Sequence, residues 1–286
     1  MDDEGLAAAL PRVLDHWGLT DAVVSPLGGG MNSATARLQH AAGAHVAKWV
    51  PDRDAERLLA GCETAALVQA AGIPAGAAAP TSDGPPAVAL DGGIVVLLTE
   101  VPGVELTGET SEEQRRMGSV LAAAHRATDL GTRRETFHDD WLRTPADAPA
   151  WLSAALASVR EEYAALPPLP WARLHADPAP EAFLHDAASG RTGLIDWAGA
   201  TPGPVLYDVA SAVMYLGGRE HAEPFLSEYG ADLTHLDTFR RLRWCVQATY
   251  FSDRLARDDL TGIVDRSGNE KGLADARGGL GTLGLP

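Results

Sequence analysis

Cysteine is scarce in this chain: two in 286 residues, Cys62 and Cys245, in unrelated contexts. That argues against a disulfide framework and against a thiolate metal cluster. No apolar run approaches the ~20 residues that span a bilayer. The start, MDDEGLAAAL, has no basic n-region of the kind a secretory signal carries. The expectation is a soluble protein of a reducing, cytoplasmic compartment with no membrane partner. Positive charge is also in deficit, with a formal net charge of −16. Phosphate backbones select for Lys and Arg, so nucleic acid is not an expected partner. The acidity suits a cationic small molecule drawn to an acidic cleft, and it serves solubility equally well. No internal repeat is present, and the oligomeric state is not legible.

What is there is enough to fold. Hydrophobic residues make up 45% of the chain, and the length allows one large or two modest domains, each with a core. Residues 3–19 read as a helix, with Leu6, Leu10, Val13 and Trp17 near one side. Short strand-like runs follow: 23–27, 34–40 and 45–50, the last ended by Pro51. They read as a meander of hairpins and predict an antiparallel sheet. Leu58, Leu59, Cys62, Ala66, Leu67 and Ala70 fall at helical spacing, which predicts a helix over 54–71, stopped by Gly72-Ile73-Pro74. Runs 86–90 and 94–100 flank Asp91-Gly92-Gly93, another hairpin signal. Val101-Pro102-Gly103 breaks the pattern and marks the expected boundary: 1–103 as one domain and 104–286 as a second. The second domain is predicted mainly helical, near 111–128, 147–165, 207–217, 219–229 and 235–257, with short strands inside 174–197. The stretch Gly272 to Pro286 is rich in Gly and reads as a loose tail.

Four features carry chemistry. Gly28-Gly29-Gly30-Met31-Asn32-Ser33 lies between two strands, where amides without a Cβ can approach phosphates. It is not a Walker A loop, since no Gly-Lys-Ser/Thr follows, and an ordinary hairpin turn is its plain alternative. Lys48 is a lone cation in the apolar strand His45-Val46-Ala47-Lys48-Trp49-Val50, and Glu63 lies on the next helix. A kinase-type site needs such a Lys–Glu pair at the phosphates, although each alone reads as a solvated charge. His175-Ala176-Asp177 offers a carboxylate in a loop, able to take or orient a hydroxyl proton. His175 suits bracing that loop. The alternative for Asp177 is an Asx-turn residue before Pro178. Asp196 closes the apolar run Gly193-Leu194-Ile195, where a carboxylate needs a partner such as a divalent metal on nucleotide phosphates. Asp208 opens a predicted helix and is expected to cap it and to brace the catalytic loop.

In this order, these residues resemble the aminoglycoside phosphotransferase and choline kinase group of small-molecule kinases. The resemblance is strongest over 174–214, moderate over 28–63 and weak beyond about 217. It implies an α+β, bilobal protein-kinase-like fold: an N-terminal lobe of antiparallel sheet plus helix, a mainly helical C-terminal lobe, and ATP between them. It implies that Gly28, Gly29, Gly30, Asn32 and Ser33 cover phosphates and that Lys48 binds them, partnered by Glu63. Thr99, Glu100 and Val101 would be the hinge whose backbone meets adenine. Asp177 would be the catalytic base and Asp196 the Mg2+ ligand, a motif set known from protein kinases. The cofactors implied are ATP and Mg2+, and the acceptor implied is a hydroxyl of a small molecule, with aminoglycoside-like and other antibiotics among the candidates.

The chain departs from that pattern at one place. The family reads His-Gly-Asp, four residues, then Asn as a metal ligand, and here Ala182 stands in that position. Glu181 beside it is the candidate substitute ligand. Three outcomes are open: one metal held by Asp196, a second position restored by Glu181, or a catalytically impaired nucleotide-binding protein. A metal-dependent hydrolase using His175, Asp177 and Asp196 is the weaker rival, because no His-rich ligand set accompanies them. The acidic residues Asp139, Asp140, Glu161, Glu162, Asp258 and Asp259 are candidates for meeting a cationic acceptor.

Overall fold

The structure is a computed structural model that describes residues 1–28, 33–41, 43–135, 142–260 and 265–285. It divides into two compact units: residues 1–106 with 181–201, and residues 107–180 with 202–286. In space, then, 181–201 packs with the first unit although it follows the expected boundary in sequence.

The first unit opens with α1 (Asp3–Ala9) and continues through β1 (Val23–Pro26), β2 (Ala34–His40), β3 (Gly43–Pro51), α2 (Ala55–Ala70), β4 (Ala87–Leu90) and β5 (Gly93–Thr99). The five strands form one antiparallel sheet in the order β1-β2-β3-β5-β4. Strand alternation sorts its faces. Ala36, Leu38, Ala47, Trp49, Val95 and Leu97 bury against Leu6, Leu10 and Leu14, while Val50 and Val96 bury against Leu58 and Cys62 of α2. The helix expected over 3–19 is not continuous. It ends at Ala9, and two short 3-10 turns, Leu10–Arg12 and Leu14–Trp17, carry the chain on. Pro11 has no N–H to continue the ladder and its ring opposes the preceding turn. A second sheet of the same unit, in the order β10-β9-β6, is made by β6 (Val104–Glu105) with β9 (Phe183–Asp186) and β10 (Arg191–Leu194).

The second unit contains α3 (Ser111–Ala127), β7 (Asp129–Arg133), α4 (Ala150–Ala164) and β8 (Leu169–Leu174). After β11 (Thr201–Pro204) come α5 (Leu206–Tyr215), α6 (Glu223–Tyr229), α7 (Leu236–Ala256) and α8 (Arg266–Thr282). A capping box starts α3: the Thr110 hydroxyl accepts from the Glu113 N–H at 3.2 Å, and the Glu113 carboxylate reaches back to the Thr110 N–H. The Gly-rich stretch expected to be loose is helical as far as Thr282. A Cβ at Gly272 would collide with the Phe251 ring, and one at Gly279 with the Trp244 ring. The glycines give α8 the room to lie against aromatic residues of α7, at a propensity cost of ~1 kcal/mol each.

Candidate functional site

The expected site residues gather in two clusters, one in each unit. In the first unit, alternation along β3 turns Lys48 toward the α2 face, on the side of Val50 and opposite Val96 in register. Its stem is buried, and its Nζ donates to Asp196 Oδ1 at 2.5 Å. Asp196 reaches that point because its backbone is left-handed, φ 65° and ψ 57°. A non-Gly residue there is strained, and such strain concentrates at functional positions. The turn is tied on both sides: Leu194 N–H donates to Pro74 O at 2.9 Å, Ile195 N–H to Ala182 O at 2.9 Å, and Trp197 Nε1 to Leu194 O at 2.7 Å. Helix α2 presses on the same turn. A Cβ on Gly61 would strike the Trp197 carbonyl, so only glycine permits this approach. Cys62, beside Glu63, has its thiol pushed up to about 11 by burial, with the Lys48 charge working against the shift and Glu63 adding to it. The structure thus brings Lys48 and Asp196 together and sets Glu63 on the helix that leans on their turn.

The segment Thr99 to Val101, expected to be a hinge, is more committed than its sequence implied. Thr99 donates its N–H and its hydroxyl to Ala77 O, at 3.0 and 3.1 Å. Glu100 N–H donates to Ala44 O at 3.3 Å, and its carboxylate takes Arg37 at 2.8 and 3.1 Å. Among the described residues the Val101 N–H has no partner, so of the three amides it is the one open to a ligand. Gly28 is exposed and Ser33 lies just before β2, while Gly29, Gly30 and Asn32 lie outside the described residues. On either side of these residues, Leu27 N–H donates to Thr35 O at 3.1 Å.

In the second unit, β8 delivers His175-Ala176-Asp177. Buried Asp208 accepts the His175 N–H at 2.7 Å and the Ala176 N–H at 2.8 Å, which holds the loop as expected. Ala176 takes the left-handed conformation, φ 73°, that turns both amides. Asp208 does not cap α5. The helix begins at Leu206, and Asp208 lies inside its first turn. His125 Nε2 sits 3.0 Å from Asp208 and its Nδ1 2.7 Å from the Tyr229 hydroxyl, completing a buried chain. The Asp177 carboxylate is 61% exposed, and its Oδ1 accepts from the Tyr215 hydroxyl at 2.6 Å and from an Arg243 Nη at 2.9 Å.

Sequence reasoning missed Tyr215 and Arg243. They stand 38 and 66 residues away, on α5 and α7, with no motif between them. The acidic acceptor candidates fare differently. Glu162 pairs with Arg241 at 2.7 Å, Asp258 with Arg266 at 3.2 Å and Asp259 with Arg254 at 3.8 Å, while Glu161 is exposed on α4. Asp139 and Asp140 lie outside the described residues.

Ala182 is buried at the end of a short 3-10 turn, Pro180–Ala182, and Glu181 is exposed on it. Among the described residues no group of three or more His, Cys, Asp or Glu gathers as a metal site. The donor set fits a different kind of metal. Mg2+ keeps several waters and takes one or two carboxylates plus phosphate oxygens, and Asp196 presents one hard, exposed carboxylate beside an ammonium.

Residues 23–245 match the APH phosphotransferase enzyme family, and the chain belongs to that family, whose small-molecule kinases include the aminoglycoside phosphotransferases and choline kinases. No curated protein matches the sequence significantly. Solved structures with the same fold include an amicoumacin kinase in complex with AMP-PNP, Ca2+ and Ami, 15% identical, TM-score 0.71, covering 89% of this chain and 86% of that one. A microcompartment-associated aminopropanol kinase is 20% identical, TM-score 0.70, covering 96% and 98%. A choline kinase from Streptococcus pneumoniae is 16% identical, TM-score 0.69, covering 96% and 97%. At such identities the likeness is one of fold, and that fold is the α+β, bilobal protein-kinase-like one.

Proposed function

We propose that the chain is an active kinase that transfers the γ-phosphoryl group of ATP to a hydroxyl of a small molecule. The observation that carries this reading is the Lys48–Asp196 contact at 2.5 Å, which joins a strand cation to a strained turn carboxylate 148 residues away. A pair of that chemistry meets the needs of a nucleotide polyphosphate: an ammonium for its oxygens and a carboxylate for its metal. In this reading residues 1–103, with the hinge, form the nucleotide-binding lobe, and 104–286 carry the base and the acceptor side. The Gly-rich segment 28–33 covers phosphates, Glu63 steadies Lys48, and Val101 N–H meets adenine. Asp196 holds Mg2+, with Glu181 as a second candidate ligand. When bound, the metal neutralises charge on the phosphoryl oxygens. Asp177 accepts the proton of the acceptor hydroxyl as attack proceeds, so positioning rather than covalent chemistry does most of the catalysis.

For the acceptor we infer an amine-bearing alcohol. The net charge of −16 favours cations, and proteins of the same fold are named for aminopropanol and choline. A second reading, a nucleotide-binding protein that has lost transfer, is favoured by one observation: Ala182 offers no side-chain oxygen where the family carries a metal ligand.

Measuring ADP release separates the two. The protein is incubated with MgATP and aminopropanol, choline, aminoglycosides or spectinomycin. The active reading expects phosphorylated product with at least one acceptor, and a kcat loss of about 10²- to 10⁴-fold in Asp177→Asn. Magnesium-dependent ATP binding by calorimetry without transfer favours the second reading. No ATP binding, with or without magnesium, ends both.

A further inference from the structure

We infer that Arg243 and Tyr215 are positioning residues that clamp one oxygen of Asp177, Oδ1, and leave the other, Oδ2, as the atom that takes the acceptor's proton. The inference rests on the reading of Asp177 as the base, and all three residues belong to the second unit.

Both donors converge on the same atom. The Tyr215 hydroxyl donates to Oδ1 at 2.6 Å and Arg243 Nη at 2.9 Å, and that Nη also lies 3.3 Å from the Tyr215 oxygen. Tyr215 therefore accepts from Arg243 while it donates to Asp177. Among the described residues Oδ2 receives no such bond. An arginine does not deprotonate in a protein, so it can only donate, and its hold on Oδ1 is permanent. A carboxylate gripped at one oxygen by two donors loses rotational freedom. The lone pairs of its other oxygen then point in a set direction, which is the geometry a general base needs.

The clamp is itself held. Arg243 is 8% exposed, far less than the carboxylate it serves. Its Nε donates to Ser211 Oγ at 2.9 Å and its other Nη to Gln247 Oε1 at 3.3 Å. Ser211 is fully buried on α5, and Gln247 is one turn further along α7. The guanidinium is thus held at two of its nitrogens while the third reaches Asp177. Burial opposes the charge, yet Tyr207, Asp177 and Tyr215 together raise its pKa above the usual arginine value. The ring of Tyr215 also lies under the cation, 5.9 Å from ring centroid to guanidinium carbon. A surface ion pair has no need of such a framework. A cation kept buried, bonded through all three of its nitrogens and aimed at an exposed carboxylate is built to orient it.

The test uses the acceptor that supports transfer in the wild type, with kcat and KM read separately. Arg243→Gln and Tyr215→Phe are expected to lower kcat by roughly 10- to 100-fold and about 3- to 10-fold, with KM for ATP within about 2-fold, since misplacing a catalytic group acts on the chemical step. The double variant is expected to lose little more than Arg243→Gln alone, because both act on one oxygen. Tyr215→Phe removes only the hydroxyl of an exposed residue and keeps the test alive should Arg243→Gln fold poorly. Unchanged kcat in Tyr215→Phe, or losses in the double variant that multiply in full, overturns the clamp while leaving Asp177 as base. Loss of the Asp177→Asn effect overturns the base reading instead. A crystal structure of the wild type decides the geometry without any acceptor: Oδ1 on both donors supports the clamp, and a carboxylate turned away from both overturns it.

Discussion

Asp208 shows how one buried side chain sets the position of a neighbouring functional one. It is fully buried, accepts two consecutive loop amides and faces His125. Each of its oxygens is committed, and the side chain is fully buried. Asp208→Asn keeps the shape but offers one acceptor oxygen in place of two, so an amide of the loop that carries Asp177 is left unsatisfied. The expected cost is about 2 to 4 kcal/mol, read as a lower urea midpoint. A fall in kcat should accompany it, because the loop carrying Asp177 is the part released. A stable Asp208→Asn with wild-type kcat would contradict the bracing role.

Glycine decides two of the helix packings. In α2, Gly61 lies against the backbone of Trp197, and in α8, Gly272 and Gly279 admit the rings of α7. In an exposed helix, replacing Gly by Ala stabilises by about 0.5 to 1 kcal/mol. At Gly61 the sign is expected to reverse. Gly61→Ala must lift α2 from the turn that presents Asp196, so its melting temperature should drop and its ATP affinity should weaken. Calorimetry and a thermal melt check both, and a more stable protein with unchanged affinity would refute the packing argument. These contacts also explain why composition misled at the C-terminal end. Glycine reads as flexibility in a sequence, but its small size becomes packing once an aromatic partner from another helix is known. Pro11 is the opposite case: its effect is local, and it ended α1 where backbone chemistry requires.

At the scale of the molecule, the charge of −16 is the dominant property. Excess like charge repels itself and opposes the compact state. Raising salt from about 10 mM to about 150 mM shortens the screening length from about 30 Å to about 8 Å. The melting midpoint should therefore rise over that range in the absence of ligand. A midpoint that falls would mean that attractive pairs such as Arg241–Glu162 and Arg37–Glu100 outweigh the repulsion.

By itself the sequence determined what is local or periodic. Alternation produced the antiparallel sheet of β1 to β5, helical spacing produced α2 and most of the later helices, and motif order pointed to Lys48, Asp177, Asp196 and the family. Tertiary structure decided everything that depends on residues far apart in the chain. It put residues 181–201 with the first unit, turned Asp196 onto Lys48, and tied the Thr99 and Glu100 amides to Ala77 and Ala44. It also brought Tyr215 and Arg243 onto Asp177. The reason is physical. A hydrogen-bonding side chain carries no mark of its partner in sequence, since the partner is chosen by which buried polar groups the packed elements leave to be satisfied.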